Sequence, residues 1–366
     1  MRINIFFIIP SLHGGGSERF VTHLVKNLNA VKFNITLVLV RKEGVFLSEI
    51  PSHVRILDLN LSRTRYAPFK VIKLIWRHKP DIVFSTLGHL NLVIAAIRHV
   101  LPKSTKFIAR ESSTVSVHNK NEVYPALFDF LFRTVYRSFD KIVCQSRYMQ
   151  HDLLKNYNIP VEKTIVINNP IDEDYIRFKA GMASTPFPAD KINFVAVGRL
   201  SKEKGFDRLI ESFKIIRDKS IHLNIIGDGV DKVKLQQYVA AAGLGESISF
   251  LGFQSNPYPY MESAKALIQT SYYEGFPNVI IEANACGTPV IGFKSPGGIA
   301  EIVDNIKSGW LIEDGNLAEL ANKIQEVAYI KFDPESAKSY TSARFSLKKI
   351  IGEYEQLFIS ILNRKA

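Results

Sequence analysis

Only two cysteines occur in 366 residues, Cys144 and Cys286, far apart and each inside an apolar stretch. That excludes a disulfide framework and fits free buried thiols in a reducing compartment. No apolar run reaches the roughly 18 residues that a membrane-spanning helix needs. Low-complexity tracts and internal repeats of about 20–50 residues are also missing, which excludes disordered and solenoid classes. Zinc-ligand spacings, a basic heptad region and an aromatic RNA-binding motif are absent too, so nucleic acid is not the expected partner. The apolar run that ends at Ile9 resembles the start of a leader peptide. It carries Asn4, lacks a small-residue cleavage site and stops at Pro10, as a buried strand would, so the expected location is cytoplasmic.

What is present is length, charge and a two-part rhythm. The chain suits two domains of about 150–200 residues each. Its formal charge of +12 is uneven: residues 1–175 hold 24 Lys+Arg against 14 Asp+Glu, and the rest hold 23 against 21. A basic first half points to a phosphorylated substrate or anionic lipid head groups. Strand-like runs at 3–9, 35–40, 81–85, 106–109, 141–145 and 164–167 alternate with helical patterns, the first at 18–28. This predicts a parallel sheet covered on both faces. The breaker-rich stretch 179–191 interrupts the rhythm, which then restarts with strands at 194–198, 223–227, 248–251, 266–269 and 289–293 and helices at 206–218, 233–242 and 279–285. The expected domains are 1–175, a linker over 176–191, a second domain over 192–346, and a last helix in 347–366 that returns to the first domain.

Three segments carry candidate chemistry. After the first strand, Gly14, Gly15 and Gly16 lead into a helix at Ser17-Glu18-Arg19, where backbone amides can approach a phosphate. The spacing is not G-x-G-x-x-G, so a dinucleotide fingerprint is absent. In the run from Gly198 to Gly205, Arg199 follows a strand directly and Lys204 stands just before a helix, two cations suited to a diphosphate. Glu274 and Glu282 flank Gly275-Phe276-Pro277, a loop that opens a helix and would offer amides and dipole to a phosphate or sugar, with Glu282 about two turns in and suited to hydroxyls. Asp172-Glu173-Asp174 matches a metal-binding D-x-D, but no other acidic or histidine cluster accompanies it. It reads as a helix N-terminus, and no metal is expected.

Together G-G-S-E-R at Gly15–Arg19, N-N-P-I-D ending at Asp172, G-R-x-x-x-x-K-G at Gly198–Gly205 and E-G-F-P-N-V-I-I-E at Glu274–Glu282 resemble the family 4 retaining glycosyltransferases, along nearly the whole chain. The resemblance implies an α/β GT-B fold, two Rossmann-like domains with parallel sheets facing across a cleft. It implies that Arg199 and Lys204 neutralise the donor diphosphate close to Gly198, and that Glu282 binds ribose hydroxyls. Glu274 with the Gly275, Phe276, Pro277 and Asn278 backbone would hold the donor sugar, and Phe253 would lie beside the nucleobase. The N-P-Y-P-Y-M run at 256–261 resembles bacterial members that use UDP-sugars on surface-glycan intermediates. The implied donor is thus a nucleotide sugar, with no other cofactor, and the implied acceptor is a glycan or a polyprenyl-diphosphate-linked glycan. A GDP-mannose donor is the alternative within the family, and a sugar-nucleotide epimerase of similar architecture is the alternative outside it. Retention would follow from same-face attack, with the leaving phosphate as base. On the acceptor side the candidates are Gly15, Gly16, His118 and the loop Arg110-Glu111-Ser112. The aromatic stretch Tyr124–Phe139 with Arg133 and Arg137 offers peripheral contact with anionic membrane.

Overall fold

The computed structural model of the chain describes residues 2–120, 122–182, 187 and 190–363. It divides into two compact units, Met1–Pro170 with Leu347–Ala366, and Ile171–Ser346. The first unit holds seven strands: β1 (Ile3–Ile9), β2 (Phe33–Leu39), β3 (Arg55–Asp58), β4 (Ile82–Thr86), β5 (Lys106–Arg110), β6 (Lys141–Cys144) and β7 (Thr164–Val166). The second holds six: β8 (Ile192–Val197), β9 (Ile221–Ile226), β10 (Ile248–Gly252), β11 (Leu267–Gln269), β12 (Val290–Phe293) and β13 (Gly309–Ile312).

The sheets run β3-β2-β1-β4-β5-β6-β7 and β10-β9-β8-β11-β12-β13, with parallel pairing throughout. In each, strand order reverses beside the first strand of the unit, between β1 and β4 and between β8 and β11. Open parallel sheets bind ligands outside the carboxyl ends of strands at such a reversal. Two strands escaped the sequence reading. β3 carries a half-exposed, charged R-I-L-D pattern, and β13 opens on a glycine. Neither shows the continuous apolar run by which a buried parallel strand is recognised.

Strand alternation explains the apolar runs. In β1, Ile5, Phe7 and Ile9 enter one core while Phe6 and Ile8 enter the other. In β8, Phe194 and Ala196 face one layer and Val195 the opposite one. A strand buried on both faces has no polar side to show.

The last helix, Leu347–Asn363, belongs to the first unit, where Tyr354 and Phe358 pack into a cluster with Phe7, Phe20 and Phe84 at centroid distances of 5.3–6.4 Å. The boundary between domains differs from the one expected. Helix Glu173–Ala180 buries Ile176 and Ala180 in the core of the second unit, so that unit begins at Ile171 and not at 192. The backbone of Ile171 is bonded to that of Phe345 and bridges to Ser346, which holds the two ends of the unit side by side. Of the expected linker 176–191, residues 183–186 and 188–189 lie outside the described residues.

Candidate active site

The carboxyl ends of β8 and β11 bring two of the sequence candidates together. Lys204 Nζ lies 2.6 Å from Glu274 Oε1, and the same oxygen accepts from Gln269 Nε2 at 2.9 Å and Ser271 Oγ at 2.8 Å. Three donors on one oxygen fix the carboxylate in place. The Lys204 stem runs over Gly198, where an added Cβ would sit 3.9 Å from it. Gly205 then turns with φ +64, its Cα so close to Thr270 that a Cβ would stand 2.0 Å from the carbonyl oxygen. Only glycine allows that approach, and it docks the lysine turn against the end of β11.

Arg208, which the sequence reading passed over, locks the same region. Its guanidinium donates to Thr270 O at 2.6 Å, Ser271 O at 2.6 Å and Asp314 Oδ1 at 2.8 Å, and lies 4.1 Å above the Tyr272 ring. The only available signal was its place beside Leu209 on the apolar stripe of the helix Phe206–Phe213. A second contributor that went unread is the loop Ser295–Gly298. Pro296 O accepts from Glu274 N at 3.0 Å, and Gly298 N donates to Gly275 O at 3.1 Å. At Gly297, with φ +135, a Cβ would lie 2.0 Å from Glu274 O.

The remaining candidates in this unit separate by exposure. Arg199 is exposed at the end of β8, and Phe253, 74% exposed, stands just past β10. Gly275 and Asn278 are half-buried, and Pro277 caps helix Asn278–Ala285. Phe276 is buried, with its ring 5.6 Å from Phe345, so that residue has only backbone to offer a ligand. Glu282, half-buried, is the fifth residue of its helix, about one turn in and not two, because the helix begins only after Pro277. Asp172 is the N-cap of Glu173–Ala180, accepting from Tyr175 N at 3.1 Å, and Asp174 lies in the first turn. Both acids thereby serve a helix terminus.

Gly15, Gly16 and His118 belong to the first unit. Gly15 is the N-cap of helix Gly16–Asn27, and a Cβ there would sit 2.4 Å from Glu18 Oε2. The Glu18 carboxylate thus lies at this helix start, where the dipole favours negative charge. His118 is exposed, and its Nε2 lies 3.1 Å from Glu122 Oε1. Arg110 and Glu111 are buried at the end of β5, where strand alternation turns them to opposite faces. Arg110 donates to Asn169 Oδ1 at 2.6 Å and stacks 3.8 Å over the Phe20 ring, and burial lowers its pKa. Glu111 accepts from Asn91 Nδ2 at 2.9 Å. Burial pushes its carboxyl up to about 7, against the opposing pull of Asn91 and the Arg110 charge.

Two family models match the chain in tandem, Glycosyltransferase Family 4 over residues 14–175 and Glycosyl transferases group 1 over residues 178–343. A relative from Campylobacter jejuni, N-acetylgalactosamine-N,N'-diacetylbacillosaminyl-diphospho-undecaprenol 4-alpha-N-acetylgalactosaminyltransferase, is 30% identical over 327 residues, covering 86% of this chain and 87% of the relative. The chain belongs to glycosyltransferase family 4. This glycosyltransferase is also 24% identical over 317 residues to the lipopolysaccharide core biosynthesis glycosyltransferase LpsE of Rhizobium meliloti, 86% of this chain and 85% of that one. Its fold matches the crystal structure of Anabaena HepE in complex with UDP at a TM-score of 0.80, over 98% of this chain and 100% of that one, with 21% identity. Two Rossmann-like parallel sheets and this likeness make the fold GT-B. Family membership sets the epimerase alternative aside.

Proposed function

We propose that this glycosyltransferase moves a hexose or N-acetylhexosamine from a UDP-sugar to a glycan carried on a polyprenyl diphosphate, with retention of configuration, in surface-glycan synthesis. The observation that carries this reading is the Lys204–Glu274 contact at the strand-order reversal between β8 and β11, held from behind by Arg208. Arg199 and Lys204 are the cations for the charge that develops on the departing diphosphate, and fixed charges in such a site supply most of the stabilisation of a transfer transition state. Because three donors hold Glu274 Oε1, its second oxygen is the one turned to a sugar hydroxyl, beside the backbone of Gly275, Phe276, Pro277 and Asn278. Glu282 is assigned to the ribose, Phe253 to the face of the base, and Gly198 to close approach of the phosphate. Gly15, Gly16 and His118 are assigned to the sugar and acceptor side. The undecaprenyl-linked substrate in the Campylobacter relative's name supports the acceptor class, and the UDP in the HepE complex supports the nucleotide.

Among the described residues no helix is long and apolar enough to cross a membrane, so a lipid-linked acceptor calls for a docking surface. Helix Pro125–Thr134 supplies one. Among the residues of this helix only Phe132 is fully buried. Leu127 and Phe130 on the helix are 52% and 61% exposed, Val123 and Tyr124 just before it are 81% and 66% exposed, and Arg133 and Arg137 are exposed as well. Apolar side chains flanked by cations suit the interface of an anionic membrane.

The test is a panel of radiolabelled UDP- and GDP-sugars, each offered a polyprenyl-diphosphate-linked glycan and the same glycan without lipid. Transfer from one UDP-sugar to the lipid-linked glycan, with the donor anomer kept in the product by NMR, is the expected result. Transfer only from a GDP-sugar overturns the donor, and equal transfer to the free glycan overturns the acceptor.

A further inference from the structure

Two segments of the first unit that are separate in sequence, one with His89 and one with His118 and Glu122, meet at one carboxylate. His89, in the first turn of helix Gly88–Ile97, has Nε2 3.2 Å from Glu122 Oε1, and His118, at the end of helix Val115–Asn119, has Nε2 3.1 Å from the same oxygen. All three ligand-type atoms lie within 4.8 Å of one another. Four ligands around an ion at metal–ligand distances of about 2.0–2.1 Å stand about 3.3–3.4 Å apart when tetrahedral, close to the two separations seen here. The imidazole planes meet at 77° with centroids 6.0 Å apart, and His89 is braced edge-on by Phe128 at 5.2 Å. His89 and His118 are 57% and 48% exposed and Glu122 only 18%, so the cluster opens to solvent on the imidazole side, where further ligands can enter.

We propose that His89, His118 and Glu122 form a binding site for a divalent transition-metal ion, with Zn²⁺ as the fitting species. Two neutral imidazoles and one carboxylate are a borderline donor set that suits zinc and disfavours magnesium and calcium, which take oxygen ligands almost alone. Each ring would bind through the Nε2 lone pair, in the tautomer that carries its single proton on Nδ1. The ion ties the start of helix Gly88–Ile97, which follows β4 at the strand-order reversal, to the segment that leads into the exposed apolar helix Pro125–Thr134. The Lys204–Glu274 pair belongs to the other unit. The competing account is that two imidazoles simply donate hydrogen bonds to one carboxylate, and it predicts no stoichiometric uptake.

The experiment titrates the tag-free full chain with Zn²⁺ against a competing chromophoric chelator, with Mg²⁺ as a second probe. We expect one Zn²⁺ per chain, no competition from Mg²⁺, and affinity weakened at least tenfold in His89→Ala, His118→Ala and Glu122→Gln. His13→Ala serves as the control, because His13 Nε2 pairs with Glu43 at 2.7 Å in another loop, and it should bind as the parent does. Thermal melts in EDTA establish that each variant folds, and His89→Gln and His118→Gln replace any alanine variant that does not. No stoichiometric uptake, or equal uptake by the folded His89 and His118 variants, overturns the site.

Discussion

Each unit places a buried arginine near the carboxyl ends of its parallel strands and stacks it on aromatic rings, but the two arginines work in opposite surroundings. Arg208 of the second unit spends its donors on the carbonyls of Thr270 and Ser271 and on the half-exposed Asp314. It fixes a loop from behind and leaves Lys204 and Glu274 at the front. Arg110 of the first unit is buried, with Asn169 Oδ1 and Thr86 Oγ1 as its acceptors, and its sequence neighbour Glu111 is equally buried. In one unit desolvation falls on a structural clamp while the candidate chemistry keeps contact with water. In the other it falls on the ionisable candidates themselves, lowering the pKa of Arg110 and raising that of Glu111.

Removing the clamp should have the largest effect. Arg208→Ala strips a buried cation from its partners and is expected to cost about 3–5 kcal/mol in chemical denaturation, with transfer activity lost alongside. Retained activity at parental stability would show that the front residues need no support from behind. Arg199→Ala and Lys204→Ala should each lose about 3–4 kcal/mol of transition-state stabilisation, read as kcat/KM, with melting temperatures near the parent's. Full activity in both would break the assignment of the diphosphate site.

Glu111 gives the comparison a pH signature. Between its ordinary value of 4.5 and about 7, the folded first unit holds a proton that the unfolded chain has released. The stabilisation from this group is therefore complete below about pH 4.5 and fades as pH rises through about 7, a loss of about 3 kcal/mol in all. Melting profiles should show this component in the parent and lack it in Glu111→Gln. Equal profiles would mean the carboxyl is ionised in the fold.

Smaller effects are expected at the surface. Flotation with liposomes of anionic lipid should retain the protein at low salt and release it as salt rises, with Arg133→Ala and Arg137→Ala each weakening binding by about 1 kcal/mol. Failure to float at low salt whatever the lipid charge would turn the acceptor toward a soluble glycan. The smallest expected change is none at all. Transfer should persist in excess EDTA, since the proposed site meets the diphosphate charge with side chains and helix amides and Asp172 is engaged in capping. Abolition by EDTA with rescue by Mn²⁺ would restore the D-x-D as a metal site.

Legibility in the sequence followed how local the determinants are. The E-G-F-P-N-V-I-I-E and G-R-x-x-x-x-K-G runs place their candidate residues within nine and eight consecutive positions, so Glu274, Glu282, Arg199 and Lys204 stand out as candidates in the sequence itself. Strands buried on both faces announce themselves as apolar runs, and so the two parallel sheets were readable, apart from the half-exposed β3 and the glycine-led β13. Tertiary structure alone decided the rest. The Lys204–Glu274 pair spans 70 positions, and the Arg208 clamp reaches 62, 63 and 106. Burial of Phe276 against Phe345, the start of the second unit at Ile171, and the meeting of His89 with His118 on Glu122 are likewise products of chain return. Residue type and spacing fix what a side chain can donate, accept or bury. Which partner it meets, and how much water is left there, is settled only when distant strands are set side by side.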